Sequence, residues 1–198
     1  STLMRSSAAS DVYKRQIPNY AEFYEVRHFT AGKNEVTYVN INGEEIPFGA
    51  NILFKTDACE DFVLSVEICE DLWTPIPPSS QYAVEGVDVI LNLSASNALV
   101  GKHEYRRQLL SQQSGRLYAG YAYACAGFGE STSDLVFCGY TGVFENGRAL
   151  SEGPRFTMDG GMAVADIDVR RLRYQRQRNG SFHQMKRGGE NMGMTAVG

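Results

Sequence analysis

The stretch Phe62-Val63-Leu64-Ser65-Val66-Glu67-Ile68, followed at once by Cys69-Glu70-Asp71-Leu72-Trp73, decides how the rest of the chain is read. Its first part is apolar and β-branched apart from Ser65 and Glu67, which predicts a buried strand. A run that is continuous rather than alternating suits a strand covered on both faces. The Pro-rich segment Thr74 to Pro78 then stops it. Cys69 is thereby placed just past the C-terminal end of a strand, at the rim of a sheet, where ligand crevices form.

Working outward, Val87 to Leu93 (VDVILNL) reads as a second strand of the same kind. Val36 to Ile41 and Glu44 to Pro47 flank Asn42-Gly43, a strong hairpin signal. Lys102 to Ala126 reads as one long helix, with Leu109, Leu110, Leu117, Tyr121 and Ala124 on its core face. Leu135 to Phe144 is a further predicted strand, Asn146-Gly147 a second turn, Met162 to Ile167 another strand and Val169 to Gln177 a helix. Interleaved strands and helices with added hairpins predict an α/β layered domain with a mixed sheet. No internal repeat, G-x-G-x-x-G or Walker motif is present, so no phosphate-cradling loop is read.

The bulk numbers agree with this class. The chain has 198 residues, 43% hydrophobic and 21% charged, as expected of one ordinary globular domain. A net charge of -4 gives no footprint for nucleic acid. The basic cluster from Arg170 to Arg178 reads as a solvated helix face. No apolar run reaches the ~18 residues of a membrane span, and no secretory signal is visible, so the expected location is the cytoplasm. The cysteines Cys59, Cys69, Cys125 and Cys138 form no C-x-x-C pair, which argues against a zinc ribbon, and no metal site is expected. Cys125 and Cys138 read as small buried hydrophobes.

The two ends differ from the middle. Ser6 to Gln16 (SSAASDVYKRQ) resembles translated sequencing-adapter read-through, so residues 1–16 are set aside as non-native. From Met185 to Gly198 the chain is Gly/Met-rich and unpatterned, which suggests a tail or a damaged reading frame. Residues 17–184 carry the information.

Chemistry centres on Cys69. A free thiol is only a few per cent thiolate at neutral pH, so a nucleophile needs activation. The anionic neighbours Glu67, Glu70 and Asp71 disfavour the thiolate. A working Cys69 therefore needs a nearby cation and a base, and position alone leaves a buried inert cysteine open. Only His28, His103 and His183 exist, none in a recognisable Cys/His protease context, and His103 reads as a surface helix residue. A mechanism built on Lys and Glu in place of His is thus considered.

The string EICEDLW (Glu67 to Trp73) resembles the nucleophile segment of the nitrilase superfamily, more narrowly the glutaminase domain of glutamine-dependent NAD+ synthetases. IPNYAEFYEVRHF (Ile17 to Phe29), NLSASNALVGKHEYRRQLL (Asn92 to Leu110) and GFGESTSDLVFCGYTGVFENG (Gly127 to Gly147) resemble further segments of that family, in order. The resemblance implies an αββα sandwich with mixed sheets, here incomplete at its N-terminus. It implies a Glu-Lys-Cys triad in which the cysteine attacks the side-chain amide of glutamine, releases ammonia and forms a thioester that water cleaves. The lysine would stabilise the oxyanion. Ammonia would serve ATP-dependent amination of deamido-NAD+ in a covalently linked synthetase domain.

Carried over to this chain, Cys69 is the nucleophile, Lys14 stands where the lysine falls, and Glu25 is an accessory acid. Tyr20, Ser96, Lys102 and Glu70 contact glutamine, with Phe23 and Trp73 as pocket walls. Lys102 would meet the α-carboxylate as a point charge, where the family often uses the arginine fork. The general-base glutamate lies upstream of the lysine in the family, and nothing before Lys14 matches it. No ATP pyrophosphatase loop precedes Gly198, so no cofactor is expected in this segment, and ATP and Mg2+ belong to the synthetase domain. L-glutamine and that domain are the expected partners, in a homo-oligomer, without nucleic acid or membrane. A stand-alone nitrilase-superfamily amidase and a catalytically inactive fragment are the alternatives.

Overall fold

The computed structural model describes residues 17, 27, 30–32, 35–56, 62–130, 135–188 and 195–197. Nine strands are described in chain order: β1 (Thr37–Ile41), β2 (Glu44–Phe48), β3 (Ile52–Lys55), β4 (Val63–Ile68), β5 (Val89–Ser94), β6 (Gly120–Cys125), β7 (Thr141–Glu145), β8 (Arg148–Glu152) and β9 (Thr195–Val197). The helices are α1 (Pro78–Val84), α2 (Lys102–Leu117), α3 (Val169–Arg178) and α4 (Gly180–Gly188). β1 and β2 form a hairpin of their own. Asn42 and Gly43 both take positive φ at its turn (55° and 88°), the mirror-image geometry that matches strand twist.

The other strands make one sheet in the order β8-β7-β6-β5-β4-β3-β9. Its centre, β4-β5-β6, is parallel, with Ile68 opposite Leu93 and Ser94 opposite Cys125 at the C-terminal ends. β7 and β8 continue antiparallel, and β3 pairs antiparallel with β4. Thr195–Val197, read from sequence as part of a patternless tail, pairs in parallel with β3.

Side chains alternate about the sheet plane. On the helix side, Ile90, Tyr121 and Tyr123 meet Tyr82 of α1 and Leu110 and Leu117 of α2 in one buried core. On the other side Leu91 and Ala122 are half-buried, and Leu93 is 53% exposed. The expectation of strands covered on both faces is therefore corrected among the described residues: β4 alternates buried with half-buried positions.

Three sequence-based boundaries also change. Lys102 to Ala126 is not one helix. α2 ends at Leu117, Tyr118 takes a left-handed conformation (φ 47°), and the chain re-enters the sheet as β6. Tyr121 is buried from that strand and Ala124 is exposed on its open face. Alanine favours helix, but the Tyr121/Tyr123 alternation won because it fills the core beneath α2. Gly120 allows the return: a Cβ there would lie 2.7 Å from the Ile167 side chain. Leu135 to Phe144 yields a strand only over Thr141–Glu145, and Met162 to Ile167 has no ladder partner. Among the described residues no helix is long and apolar enough to cross a membrane.

The basic cluster of α3 is not simply a solvated face. Arg173 and Arg176 both bind the Asp88 carboxylate, at 2.6 and 2.7 Å, and Leu172 is buried beside them. His103 is half-buried rather than a surface residue, its ring edge-on to Tyr140 at 4.8 Å between centroids. Burial and the nearby Arg155 and Arg106 charges lower its basicity.

Candidate active site

The C-terminal ends of β4, β5 and β6 carry the candidate site. Cys69 follows Ile68 directly and opens a short 3-10 turn, Cys69–Trp73. Its φ of 48° is uncommon for a residue with a side chain and costs of order 1–3 kcal/mol where the surroundings impose it. Asp71 holds the turn: its Oδ2 accepts the Ile68 N–H at 3.0 Å, and its carbonyl accepts the Thr74 hydroxyl at 2.9 Å. The thiol is thus turned sharply off the end of a strand, in a buried position.

Glu67, read from sequence only as an anionic neighbour of Cys69, has partners of its own. It is buried on the helix side, with Oε2 accepting the Ser79 N–H at 2.9 Å and Oε1 accepting the Tyr121 hydroxyl. Asn92 Nδ2 donates to the Tyr121 oxygen at 3.1 Å, and the Ser94 hydroxyl donates to Asn92 Oδ1 at 2.7 Å. Gln113 of α2 donates to the Ser79 hydroxyl at 2.9 Å. Desolvation pushes the Glu67 carboxyl up from 4.5 to about 7, against the lowering effect of Tyr121 and Ser79. Glu67 also ties β4 to the start of α1, so both ends of the Cys69 loop are fastened by carboxylates.

The loop after β5 brings the substrate-binding candidates together. Ser96 and Asn97 are buried there. Lys102, in the first turn of α2, donates to Asn97 Oδ1 and lies 5.4 Å from the Trp73 ring centroid. Trp73 packs on Tyr105 at 5.6 Å. Ser96, Lys102 and Trp73 therefore form one group joining the Cys69 turn to α2, and half-buried Glu70 lies on that same turn. Cys125, at the end of β6, donates its thiol hydrogen to the Ser96 carbonyl at 3.3 Å, and burial pushes its pKa up. Lys14, Tyr20, Phe23 and Glu25 lie outside the described residues. Among the described residues no group of His, Cys, Asp or Glu side chains is arranged to hold a metal ion.

Sequence reasoning missed Arg106 and the Glu67–Tyr121–Asn92 chain. One signal was available for each. Arg106 lies four residues after Lys102 and so on the same helix face, and a lone Glu in an apolar strand must be buried with partners.

No protein-family model matches the chain. A carbon-nitrogen hydrolase from Helicobacter pylori G27 superposes over 86% of this chain and 55% of its own, with a TM-score of 0.59 and 18% identity, which bears on the fold alone. A glutamine-dependent NAD(+) synthetase from Cytophaga hutchinsonii superposes over 76% of this chain and 24% of its own, with a TM-score of 0.64 and 26% identity. The fold is thus that of the carbon-nitrogen hydrolase, or nitrilase, class. In sequence, the glutamine-dependent NAD(+) synthetase of Mycobacterium tuberculosis H37Rv is 42% identical over 183 residues, which is 92% of this chain. The chain is accordingly a homologue of the glutamine-dependent NAD+ synthetases, and it spans 27% of the length of that relative.

Proposed function

We propose that this chain provides the cysteine-based glutaminase centre of a glutamine-dependent NAD+ synthetase, with Cys69 as nucleophile. The observation that carries this reading is the placement of Cys69. It sits left-handed at the C-terminal tip of a parallel strand, on a turn whose Trp73 lies 5.4 Å from Lys102 Nζ. The relatives' name supplies the substrate, glutamine, and the product that receives its nitrogen.

In this reading the Cys69 sulfur attacks the side-chain amide carbon of glutamine. Ammonia leaves, a thioester remains, and water releases glutamate. Ser96 hydrogen-bonds the amino-acid end and Lys102 meets the α-carboxylate, with Trp73, Tyr20 and Phe23 as walls and Glu70 at the substrate. The oxyanion-stabilising cation falls at the position of Lys14, within the segment set aside as non-native, and Glu25 is the accessory acid. Ammonia passes to a synthetase domain that uses ATP and Mg2+, within a cytoplasmic homo-oligomer.

The test uses the form of the protein that supports NAD+ formation. Cys69→Ala is expected to abolish glutamine-supported synthesis and leave ammonia-supported synthesis intact. Loss of both activities, or retention of both, removes Cys69 from this role.

A further inference from the structure

Arg106 has surroundings that the mechanism above does not use. It is 1% exposed, in the second turn of α2, with a full positive charge. Its Nη2 donates to the Ser96 hydroxyl at 3.1 Å, the Ser96 carbonyl at 3.4 Å and the Asn97 carbonyl at 3.3 Å. Its Nη1 reaches the Cys138 sulfur at 3.7 Å, and the guanidinium lies 5.7 Å from the Tyr123 ring centroid. Nε is buried without a hydrogen-bond partner. All these partners are neutral. Among the described residues, the ion pairs join other arginines to Asp88, Glu145 and Glu152, and none includes Arg106.

A buried cation without a carboxylate is costly, because neutral dipoles repay only part of its lost hydration. A purely structural clamp on two carbonyls would not require a charge. We infer that Arg106 is a positioning residue for recognition of an anionic substrate end: it fixes the Ser96–Asn97 segment and leaves an uncompensated positive charge behind it. This inference rests on the glutaminase reading and deepens it. It selects amides that carry a carboxylate over neutral amides. The planar guanidinium is required, since Nη2 holds three acceptors on Ser96 and Asn97 while Nη1 reaches Cys138 and the group lies by the Tyr123 ring, a set of contacts that an ammonium cannot span.

Two thiol reagents with the same reactive group separate these effects. One is the chloromethyl ketone built on glutamine's carbon skeleton, with its amino-acid end intact. The other is chloroacetone, which lacks that end. In both cases the Cys69 thiolate attacks the CH2 carbon, a C–S bond forms, the C–Cl bond breaks and chloride leaves with the electron pair. The thiol proton goes to solvent. Labelling of the full chain is followed over time and mapped to Cys69 by peptide mass spectrometry.

The wild-type chain is expected to prefer the glutamine reagent. Arg106→Gln is expected to lower that preference about 10- to 100-fold, the scale of hydrogen bonds to a charged group, with the chloroacetone rate unchanged. Arg106→Lys, which keeps the charge but not the fork, should retain most of the defect. An unchanged preference in both variants overturns the inference. So does an equal fall in both rates, which marks a fold-supporting role only, or full recovery in Arg106→Lys. If wild type shows no preference for the glutamine reagent, the glutaminase reading falls first and the inference falls with it.

Discussion

The two ends of the parallel strands hold buried charge in opposite ways. At the N-terminal ends, Asp88 is fully buried and completely engaged. Its Oδ2 accepts the Val63 N–H at 3.0 Å, and Arg173 and Arg176 bind its oxygens at 2.6–2.9 Å. Its backbone also bridges Val63 and Gly120, so one residue fastens the starts of β4, β5 and β6. At the C-terminal ends, where Cys69 takes its left-handed conformation, Arg106 is equally buried but faces only neutral atoms, in a loop of buried polar side chains and at Cys138. Charge that is matched where the strands begin supports the fold. Charge left unmatched where they end is available to a ligand.

The largest effect should come from breaking the matched end. Asp88→Ala leaves two arginines without their carboxylate, one of them buried, and opens the ties to β4. Removing one partner of a buried pair costs about 3–5 kcal/mol. Guanidinium unfolding should show a loss of that size, and a loss below about 1 kcal/mol would mean that the arginines find other partners. The Cys69 end is distant along the strands, so the ratio of labelling by the two chloroketones should hold at temperatures where the variant stays folded.

A smaller effect is expected at Glu67, near the C-terminal end of β4. Its carboxyl sits at about 7 in the fold against an ordinary 4.5, because burial disfavours its charge. Between these values the folded chain holds a proton that the unfolded chain has released. The resulting stability is complete below about 4.5 and is lost as pH rises through about 7. Its upper size is roughly 3 kcal/mol. Glu67→Gln copies the neutral carboxyl, so its thermal stability should fall less than that of wild type between pH 5 and pH 8. Parallel curves for the two proteins would show that Glu67 stays ionised throughout.

What could be read from the sequence follows the range of the forces involved. The Asn42-Gly43 and Asn146-Gly147 turns were legible because positive φ at those residues is a local matter. The strand before Cys69 was legible because its apolar run ends abruptly. The end of α2 was not. Tyr118 to Ala126 favours helix locally, and only pairing of β6 with β5 and β7, far along the chain, makes it a strand. For the same reason the arginines of α3 looked solvated: Asp88 lies 85 residues from Arg173. Ser96 and Lys102 came from a family resemblance, whereas the spacing of Arg106 from Lys102 gives only its helix face, and its partners follow from the fold, which turns the Ser96 and Asn97 oxygens toward it.

The smallest stability change should be at Cys69 itself, and it bears on whether this end of the sheet stores strain. Cys69→Ala removes one buried sulfur, worth about 1 kcal/mol, and keeps a Cβ at φ 48°. Cys69→Gly removes the Cβ as well. At an ordinary position glycine is about 0.5–1 kcal/mol less stable than alanine, because it loses more backbone freedom on folding. At a left-handed position the order reverses, since the Cβ penalty of roughly 1–2 kcal/mol disappears. Thermal unfolding of the two variants should therefore place Cys69→Gly level with or above Cys69→Ala. If alanine proves the more stable by a full kcal/mol, the turn relaxes without strain, and the contrast between a relaxed N-terminal end and a strained C-terminal end is lost.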